Sequence, residues 1–510
     1  MLKFLFLIPA ALAAPVFAQQ PCENLAKLKL PDLTITAATS VSPGMLLPPG
    51  SRVTMMVPAF CRVAGTIRPE VNFELWLPAN WNRKFLMVGN GGLAGTISYS
   101  AMASPLQSGY ATASTDTGHV SDNDAHWAQG HMERVIDYAH RGVHVTAQTS
   151  KAILQNFYGA APAHSYFNGC SNGGEEAMAE AQRYPTDFDG IIAGDPANYY
   201  THLQMGAHLW ITQALQANPD AYIPSAKTKL IGDAVLAACD ALDGIKDGIL
   251  NDPRRCKFDP SVLLCKTADS PDCLTAAQVD TAKKIYQGTR TEANGQIFPG
   301  IMPGSEPGQG GWGAWITGTA PGGGSHTTLG MPFMRNIAFE DPTWDFRTFR
   351  WERTQGIDSD VDFIDAKLGP ILNNMNPDLK AFQARGGKLI QYHGWADPDI
   401  SPLNSVNYFD SVQKTMGDSK AFYRLFMVPG MYHCNGGPGP NTFDTVAALE
   451  QWAEQGKAPE QIVASHSTNN AVDRTRPLCP YPQEAQYKGT GSTDKAESFS
   501  CATPQTEPRQ

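Results

Sequence analysis

The stretch FNGCSNGGEEA, Phe167 to Ala177, sets two nucleophiles side by side inside a glycine-rich turn. The preceding HSYF reads as a short buried strand, and EEAMAEAQRYP as a helix that Pro185 stops. A chain passes from strand to helix in so few residues only through a sharp, strained turn. The residues two positions to either side of its apex are then pressed together and must be small. Around Ser171 those positions are Gly169 and Gly173; around Cys170 they are Asn168 and Asn172. Ser171 therefore fits the apex of a G-x-S-x-G turn, and Cys170 does not.

The flanking chain supplies the frame that such a turn needs. FELWLP, KFLMVGNGG and GYATASTD read as short strands between Asn72 and Thr115, a helical periodicity covers residues 134–157, and GIIAGDP follows the turn's helix as a further strand. Alternation of strand and helix predicts an α/β layer around a mostly parallel sheet. The pattern breaks after about residue 200 and returns near Asn376 with DLKAFQARGG, KLIQYHGWADP and AFYRLFMVPGMYHC. We expect an α/β domain built from residues 19–200 and 376–510, interrupted by a large insertion over residues 201–375 that includes GQGGWGAWITGTAPGGGS. The tail after Gln483 is polar and reads as loop.

A serine hydroxyl is a weak nucleophile at neutral pH and needs an imidazole base, itself oriented by a carboxylate. In α/β-hydrolases these follow in the order Ser, acid, His, each in a loop after a strand. Asp397 follows KLIQYHGW and His433 follows RLFMVPGM, so both stand at carboxyl ends of strands, where open α/β sheets bind ligands. Asp195, which ends GIIAGDP, and Asp399 compete with Asp397 for the acid. His119 competes as base but precedes the serine. The oxyanion of the tetrahedral intermediate needs backbone donors. Asn172 offers one, and the glycines of VGNGGLAG offer a second at Gly92 or Gly91. That stretch also loosely fits a dinucleotide-binding G-x-G-x-x-A pattern, but no helix opens after it and no ribose-binding acid stands out, so no organic cofactor is expected.

The first 18 residues, MLKFLFLIPAALAAPVFA, have one early charge, an apolar stretch and small residues before Gln19, the pattern of a signal peptide. No later run is apolar enough to enter a membrane, so a protein exported to the periplasm or beyond the cell is expected. Ten cysteines suit that oxidising destination, although they permit about 945 pairings. A net charge of -10 without any Lys/Arg run excludes nucleic acid and anionic membrane as partners. Inside the insertion, CDALDGIKDG packs three carboxylates between turn glycines. Hard oxygens at this spacing suit a structural Ca²⁺, though not an EF-hand, and suit a solvated acidic loop equally.

Together, FNGCSNGGEEAMAEAQRYPTDFDGIIAGDPA, HGWADPDISP, GMYHCNGGPGP and CDALDGIKDGILNDPRRC resemble the tannase/feruloyl esterase family of α/β-hydrolases over nearly the whole mature chain. The resemblance implies a secreted serine esterase whose insertion is a lid. Its substrates would be small aromatic esters, of gallate or of hydroxycinnamates such as ferulate, with a branch acting on mono(2-hydroxyethyl) terephthalate. It implies Ser171 as nucleophile, Asp397 as acid and His433 as base. It implies the disulfides Cys170–Cys434, Cys22–Cys61, Cys239–Cys256, Cys265–Cys273 and Cys479–Cys501. For Ca²⁺ it implies the side chains of Asp240, Asp243 and Asp247 with main-chain oxygens of Ile245 and Ile249. Trp312 and Trp315 are then candidate walls for an aromatic acyl group, or else core of the lid. No Arg or Lys lies between Trp315 and Met331 to clamp a terephthalate carboxylate, which favours a phenolic-acid ester. The sequence carries no sign of oligomeric state.

Overall fold

The computed structural model describes residues 20–121 and 124–504; the expected signal peptide, residues 1–18, lies outside them. Nine strands form one sheet: β1 (Leu33–Val41), β2 (Phe60–Ile67), β3 (Val71–Pro78), β4 (Lys84–Val88), β5 (Ala111–Thr115), β6 (His164–Cys170), β7 (Gly190–Gly194), β8 (Lys388–Gly394) and β9 (Tyr423–Val428). Their order across the sheet is β1-β2-β3-β5-β4-β6-β7-β8-β9. The first three ladders, through β3–β5, are antiparallel, and every ladder from β5 to β9 is parallel.

The parallel strands read as continuous apolar runs because both of their faces are covered. Side chains alternate across a strand, so neighbours in sequence enter different cores. Phe85, Met87, Phe167, Ile191, Leu389 and Leu425 join one cluster with residues of the helices α2 (Gly142–Tyr158), α3 (Asn172–Arg183) and α4 (Pro402–Met416). Leu86, Val88, Tyr166, Ile192, Ile390 and Phe426 face the other way, onto α1 (Tyr99–Gln107) and α5 (Thr445–Gln455). The result is a three-layer α/β-hydrolase fold. The carboxyl ends of β4, β6, β7, β8 and β9 come together along one rim, which brings the candidate catalytic residues to a common edge.

Between β7 and β8 the chain leaves the sheet. Ile211, Val235, Ile285 and Trp312 build a core belonging to this segment alone. A second cluster, including Phe333, Met334 and Leu368, packs it onto Leu93, Trp127 and Tyr138 of the α/β body.

Three features differ from the sequence reading. The N-terminal strands β1 and β2 went unread: β1 is half-exposed with its alternation filled by Thr, Ala and Ser, and the apolar run of β2, though largely buried, is broken by Arg62, Gly65 and Thr66. The periodicity over 134–157 is not one regular helix: Met132–Ile136 leads through a widened turn at Asp137–Arg141 into α2. The tail is not loop, since Glu484–Tyr487 pairs antiparallel with Phe499–Ala502. Four residues per strand, separated by a polar turn, are too few for a legible period, and Cys479–Cys501 ties the pair down.

Candidate active site

The elbow is built as its glycines require. Ser171 holds φ 65° and ψ −121°, a left-handed backbone that a residue with a Cβ adopts only when its surroundings enforce it. A Cβ on Gly169 would sit 2.3 Å from the carbonyl oxygen of Gly173, and one on Gly173 would sit 2.9 Å from that of Asn90. Both neighbours are backbone and cannot give way, so the small-residue rule is steric.

From that apex Ser171 Oγ–H donates to His433 Nε2 (2.8 Å), and His433 Nδ1–H donates to Asp397 Oδ2 (2.8 Å). Asp397 Oδ1 accepts from the backbone N–H groups of Asp399 (2.8 Å) and Ile400 (3.0 Å). Asp397 is wholly buried. Burial alone would raise its pKa, but the charges and hydrogen bonds of His433 and His393 outweigh that and hold it well below the usual carboxylate range. His433 is pushed the opposite way. Burial would lower it, and the carboxylate of Asp397, followed by those of Asp399 and Asp195, raises it above the ordinary imidazole value. The arrangement can take a proton from a serine hydroxyl and hold the resulting imidazolium beside a fixed negative charge.

The rivals have other places. Asp195 accepts from the N–H of Gly394 (2.7 Å) and of Cys434 (3.0 Å), so it braces the ends of β8 and the histidine loop. His119 Nε2–H donates to Leu93 O (2.8 Å), and its ring stacks on Trp127. Asp399 is adjacent to the site, with Oδ2 3.7 Å from His433 Nε2.

For an oxyanion, Ser171 caps the amino end of α3, where the first N–H groups have no partner within the helix and the helix dipole favours negative charge. Gly173 N–H is taken by Asn90 O (2.8 Å) and Asn90 N–H by Glu176 Oε2 (3.0 Å). Among the described residues no hydrogen bond is made by the N–H of Asn172, Gly91 or Gly92, which leaves these three available. Glu176 was not foreseen. It is wholly buried on α3, and its Oε1 also accepts from Asn90 Nδ2 (3.1 Å), so it ties the glycine loop to the elbow helix. Its position one turn after Asn172 was a usable signal; its partner, 86 residues away, was not.

The two tryptophans separate. Trp315 is half-buried, and its ring meets that of His433 edge-on at 4.7 Å between centroids. Trp312 is wholly buried, donates from Nε1 to Ser305 Oγ (2.9 Å), and belongs to the core of the inserted segment. It is therefore not a pocket wall: the expected pair was two sides of one turn, facing different ways. A cavity of about 820 Å³ lies where the glycine loop meets the insertion, lined by Gly91, Gly92, Leu329, Met331, Phe346 and Arg335. Arg335 lies just beyond the Trp315–Met331 span that lacks basic residues, so the cavity does contain a cation.

All five cysteine pairs are bonded as the resemblance implies, and Cys170–Cys434 joins the residues beside Ser171 and His433. In the acidic loop, Asp240 Oδ1 accepts from Gly248 N–H (3.0 Å), Asp243 Oδ1 from Ile245 N–H (3.0 Å), and Asp247 Oδ1 from Ile249 N–H (3.2 Å). Asp247 Oδ2 pairs with buried Arg476 (2.6 Å). Burial, with Asp247 and Asp240 nearby, pushes Asp243 up to about 6. Among the described residues only Asp247 of the three has a guanidinium partner, and carboxylate and carbonyl oxygens on one loop are the kind of donor that calcium takes.

Fold and site together are those of a serine hydrolase of the α/β-hydrolase class, and the comparisons with known proteins make it a carboxylic ester hydrolase. The sequence matches the tannase and feruloyl esterase family model over residues 51–502. It is 40% identical to an uncharacterized esterase of Xanthomonas campestris, covering 96% of this chain and 92% of that one. It is 33% identical to the mono(2-hydroxyethyl) terephthalate hydrolase of Piscinibacter sakaiensis, covering 89% and 87%. The crystal structure of feruloyl esterase B from Aspergillus oryzae superposes with a TM-score of 0.84 at 30% identity, covering 94% of this chain and 99% of that one. The chain belongs to the tannase and feruloyl esterase family.

Proposed function

We propose that Ser171, His433 and Asp397 are the catalytic triad of an esterase for aromatic, chiefly phenolic, acids such as ferulate or gallate. The observation that carries this reading is the unbroken hydrogen-bonded chain from Ser171 Oγ through His433 to buried Asp397. As Ser171 Oγ attacks the ester carbonyl, His433 Nε2 takes its proton. The carbonyl electron pair moves onto the oxyanion, held by the N–H of Asn172 and of Gly92 or Gly91. Collapse expels the alcohol, protonated by His433, and leaves an aroyl-enzyme. Water then repeats the sequence and frees the acid.

Residues 201–375 serve as the lid, and Trp315 is the aromatic wall beside His433. The loop Asp240–Ile249 binds one structural Ca²⁺ through Asp240, Asp243 and Asp247 with the carbonyls of Ile245 and Ile249. Residues 1–18 direct export, and the five disulfides suit an oxidising compartment. No helix among the described residues is long and apolar enough to cross a membrane. A second reading, a terephthalate monoester hydrolase, has one observation in its favour: Arg335 in the cavity beside Gly91 and Gly92.

The test is a panel of gallate, ferulate, p-coumarate and terephthalate monoesters with wild type and Ser171→Ala. Phenolic esters should be turned over fastest, and the variant should lose roughly 10³-fold or more in kcat. Equal rates for the two proteins would remove the nucleophile assignment. A terephthalate ester at the head of the panel would replace the first substrate reading with the second.

A further inference from the structure

The DPD step in HGWADPDIS leaves one carboxylate that the triad does not use. Asp399 is 3% exposed. Its Oδ1 accepts from His208 Nε2–H (2.9 Å) and lies 3.4 Å from His326 Nε2, which itself donates to Pro398 O (3.0 Å). Among the described residues no hydrogen bond ends on Oδ2, the oxygen 3.7 Å from His433 Nε2. That nitrogen is the one that faces Ser171. A separation of 3.7 Å is too long for a direct hydrogen bond, but one oxygen atom about 2.8 Å from each group would bridge it.

The inserted segment holds this carboxylate in place. His208 Nδ1 lies 3.0 Å from Gln204 Oε1, one helical turn earlier. One turn before that, the Tyr200 hydroxyl is 2.7 Å from that of Tyr138, which donates to Gly92 O (3.1 Å). Tyr200, Gln204 and His208 thus form a polar row running from the glycine loop to Asp399. A buried carboxylate is expensive to keep unless its contacts are specific. This one is aimed at the reacting nitrogen.

We propose that Asp399 positions the water that hydrolyses the acyl-enzyme, its Oδ2 accepting one hydrogen while His433 Nε2 accepts the other. The inference rests on the acyl-enzyme reaction at Ser171. The water oxygen bonds to the acyl carbon as its proton passes to Nε2 and the carbonyl pair moves onto the oxyanion. Collapse then breaks the bond from carbon to Ser171 Oγ, and Nε2 returns the proton to that oxygen. The carboxylic acid leaves, and Asp399 is unchanged.

Asp399→Asn should separate the two halves of the reaction. Its carbonyl can still accept from His208, which turns an NH₂ donor toward Nε2 where an acceptor is needed. With the 4-nitrophenyl ester of ferulic acid in a rapid-mixing experiment, nitrophenolate release has an acylation burst followed by a deacylation-limited steady state. We expect the steady rate to fall at least about tenfold while the burst rate changes by less than about threefold. Burst amplitude counts only sites that acylate, so partial misfolding does not alter the ratio. His208→Asn, which weakens the hold on Asp399, should move the ratio in the same sense. Equal slowing of both phases, or no change in either, would overturn the proposal.

The pH profile supplies a readout that a packing role would not move. His433 faces Asp397 at Nδ1, Asp399 at Nε2 and Asp195 from the end of β7. His393, His208 and His326 in turn face those acids, and Trp315 lies edge-on to the imidazole. His433 must be neutral to accept a proton, and Asp399 helps to raise its pKa. Removing that charge should move the acid limb of kcat, which deacylation limits with this ester, to lower pH, and an unmoved limb counts against the proposal. A burst that survived in Ser171→Ala would instead sink the nucleophile assignment.

Discussion

Trp312 and Trp315 show at the residue scale what spacing alone can and cannot decide. Three residues apart on an irregular segment, they were equivalent in sequence, yet one fills the core of the insertion and the other lies against His433. Replacing them should have opposite signatures. Trp312→Ala removes a fully buried indole and its hydrogen bond, at a cost of about 3–5 kcal/mol in stability. It should lower the melting temperature strongly while sparing kcat in the protein that stays folded. Trp315→Ala should leave melting nearly unchanged and lower kcat/KM on an aromatic ester roughly tenfold, the scale of losing one aromatic contact. Thermal melts and steady-state kinetics on both variants decide it, and a Trp315→Ala protein with unchanged kcat/KM would remove that side chain from the substrate pocket. By contrast, Ser171, Asp397 and His433 were legible because each follows a strand whose apolar run ends at a recognisable turn. Asp195 shares that signal but not the role, since the ladders place β7 between β6 and β8 and turn its carboxylate to backbone N–H groups.

At the scale of elements, the strand–elbow–helix unit was readable because its constraint is local and steric. The support for its glycine loop was not, because Glu176 on α3 reaches Asn90 across a gap in sequence that no periodicity marks. The acidic loop lies between these cases. Its carboxylates and glycines are contiguous and so were visible, whereas Arg476, which pairs with Asp247, comes from a distant strand near the C-terminus. Asp240 and Asp243 have no ion-pair partner among the described residues, and a Ca²⁺ bound as proposed would supply one. A ligand bound only by the folded state stabilises by about 2.7 kcal/mol when present at a hundred times its Kd. Chelation with EDTA should therefore lower the melting temperature, and added Ca²⁺ should restore it. The initial rate at low temperature should fall much less, because the loop is held within the insertion by Cys239–Cys256 and, among the described residues, no hydrogen bond joins it to Ser171, Asp397 or His433. A melting curve that ignores both chelator and calcium would remove the ion.

Across the whole molecule, the parallel half of the sheet and the antiparallel β3, visible as FELWLP, were legible, and the two N-terminal strands were not. Strands buried on both faces announce themselves as apolar runs, while a half-exposed edge strand does not. The insertion was visible as an interruption, but its grip on the active site through His208 and His326 was not, since two histidines among twelve carry no mark of their destination. The disulfide Cys170–Cys434 operates at this scale. It closes a loop of 264 residues that contains the entire insertion, and it ties the end of β6 to the loop after β9, with β7 and β8 between them in the sheet. Asp195 reinforces the same junction by accepting from Cys434 N–H. The bond therefore has two separable consequences: chain-entropy stabilisation of about 2–4 kcal/mol, and registration of Ser171 against His433. Cys22–Cys61 offers the comparison, because it joins the N-terminal segment to β2 far from the rim. Replacing either pair by alanine should lower the melting temperature. Only Cys170→Ala with Cys434→Ala should also lower kcat, measured well below the melting transition and normalised to sites titrated with a serine-directed phosphonate. A misplacement of about 1 Å between nucleophile and base is enough for a hundredfold loss. If both double variants kept full kcat per titrated site, the bond would be a stabiliser alone, and the elbow and histidine loop would be held in register by the sheet and Asp195.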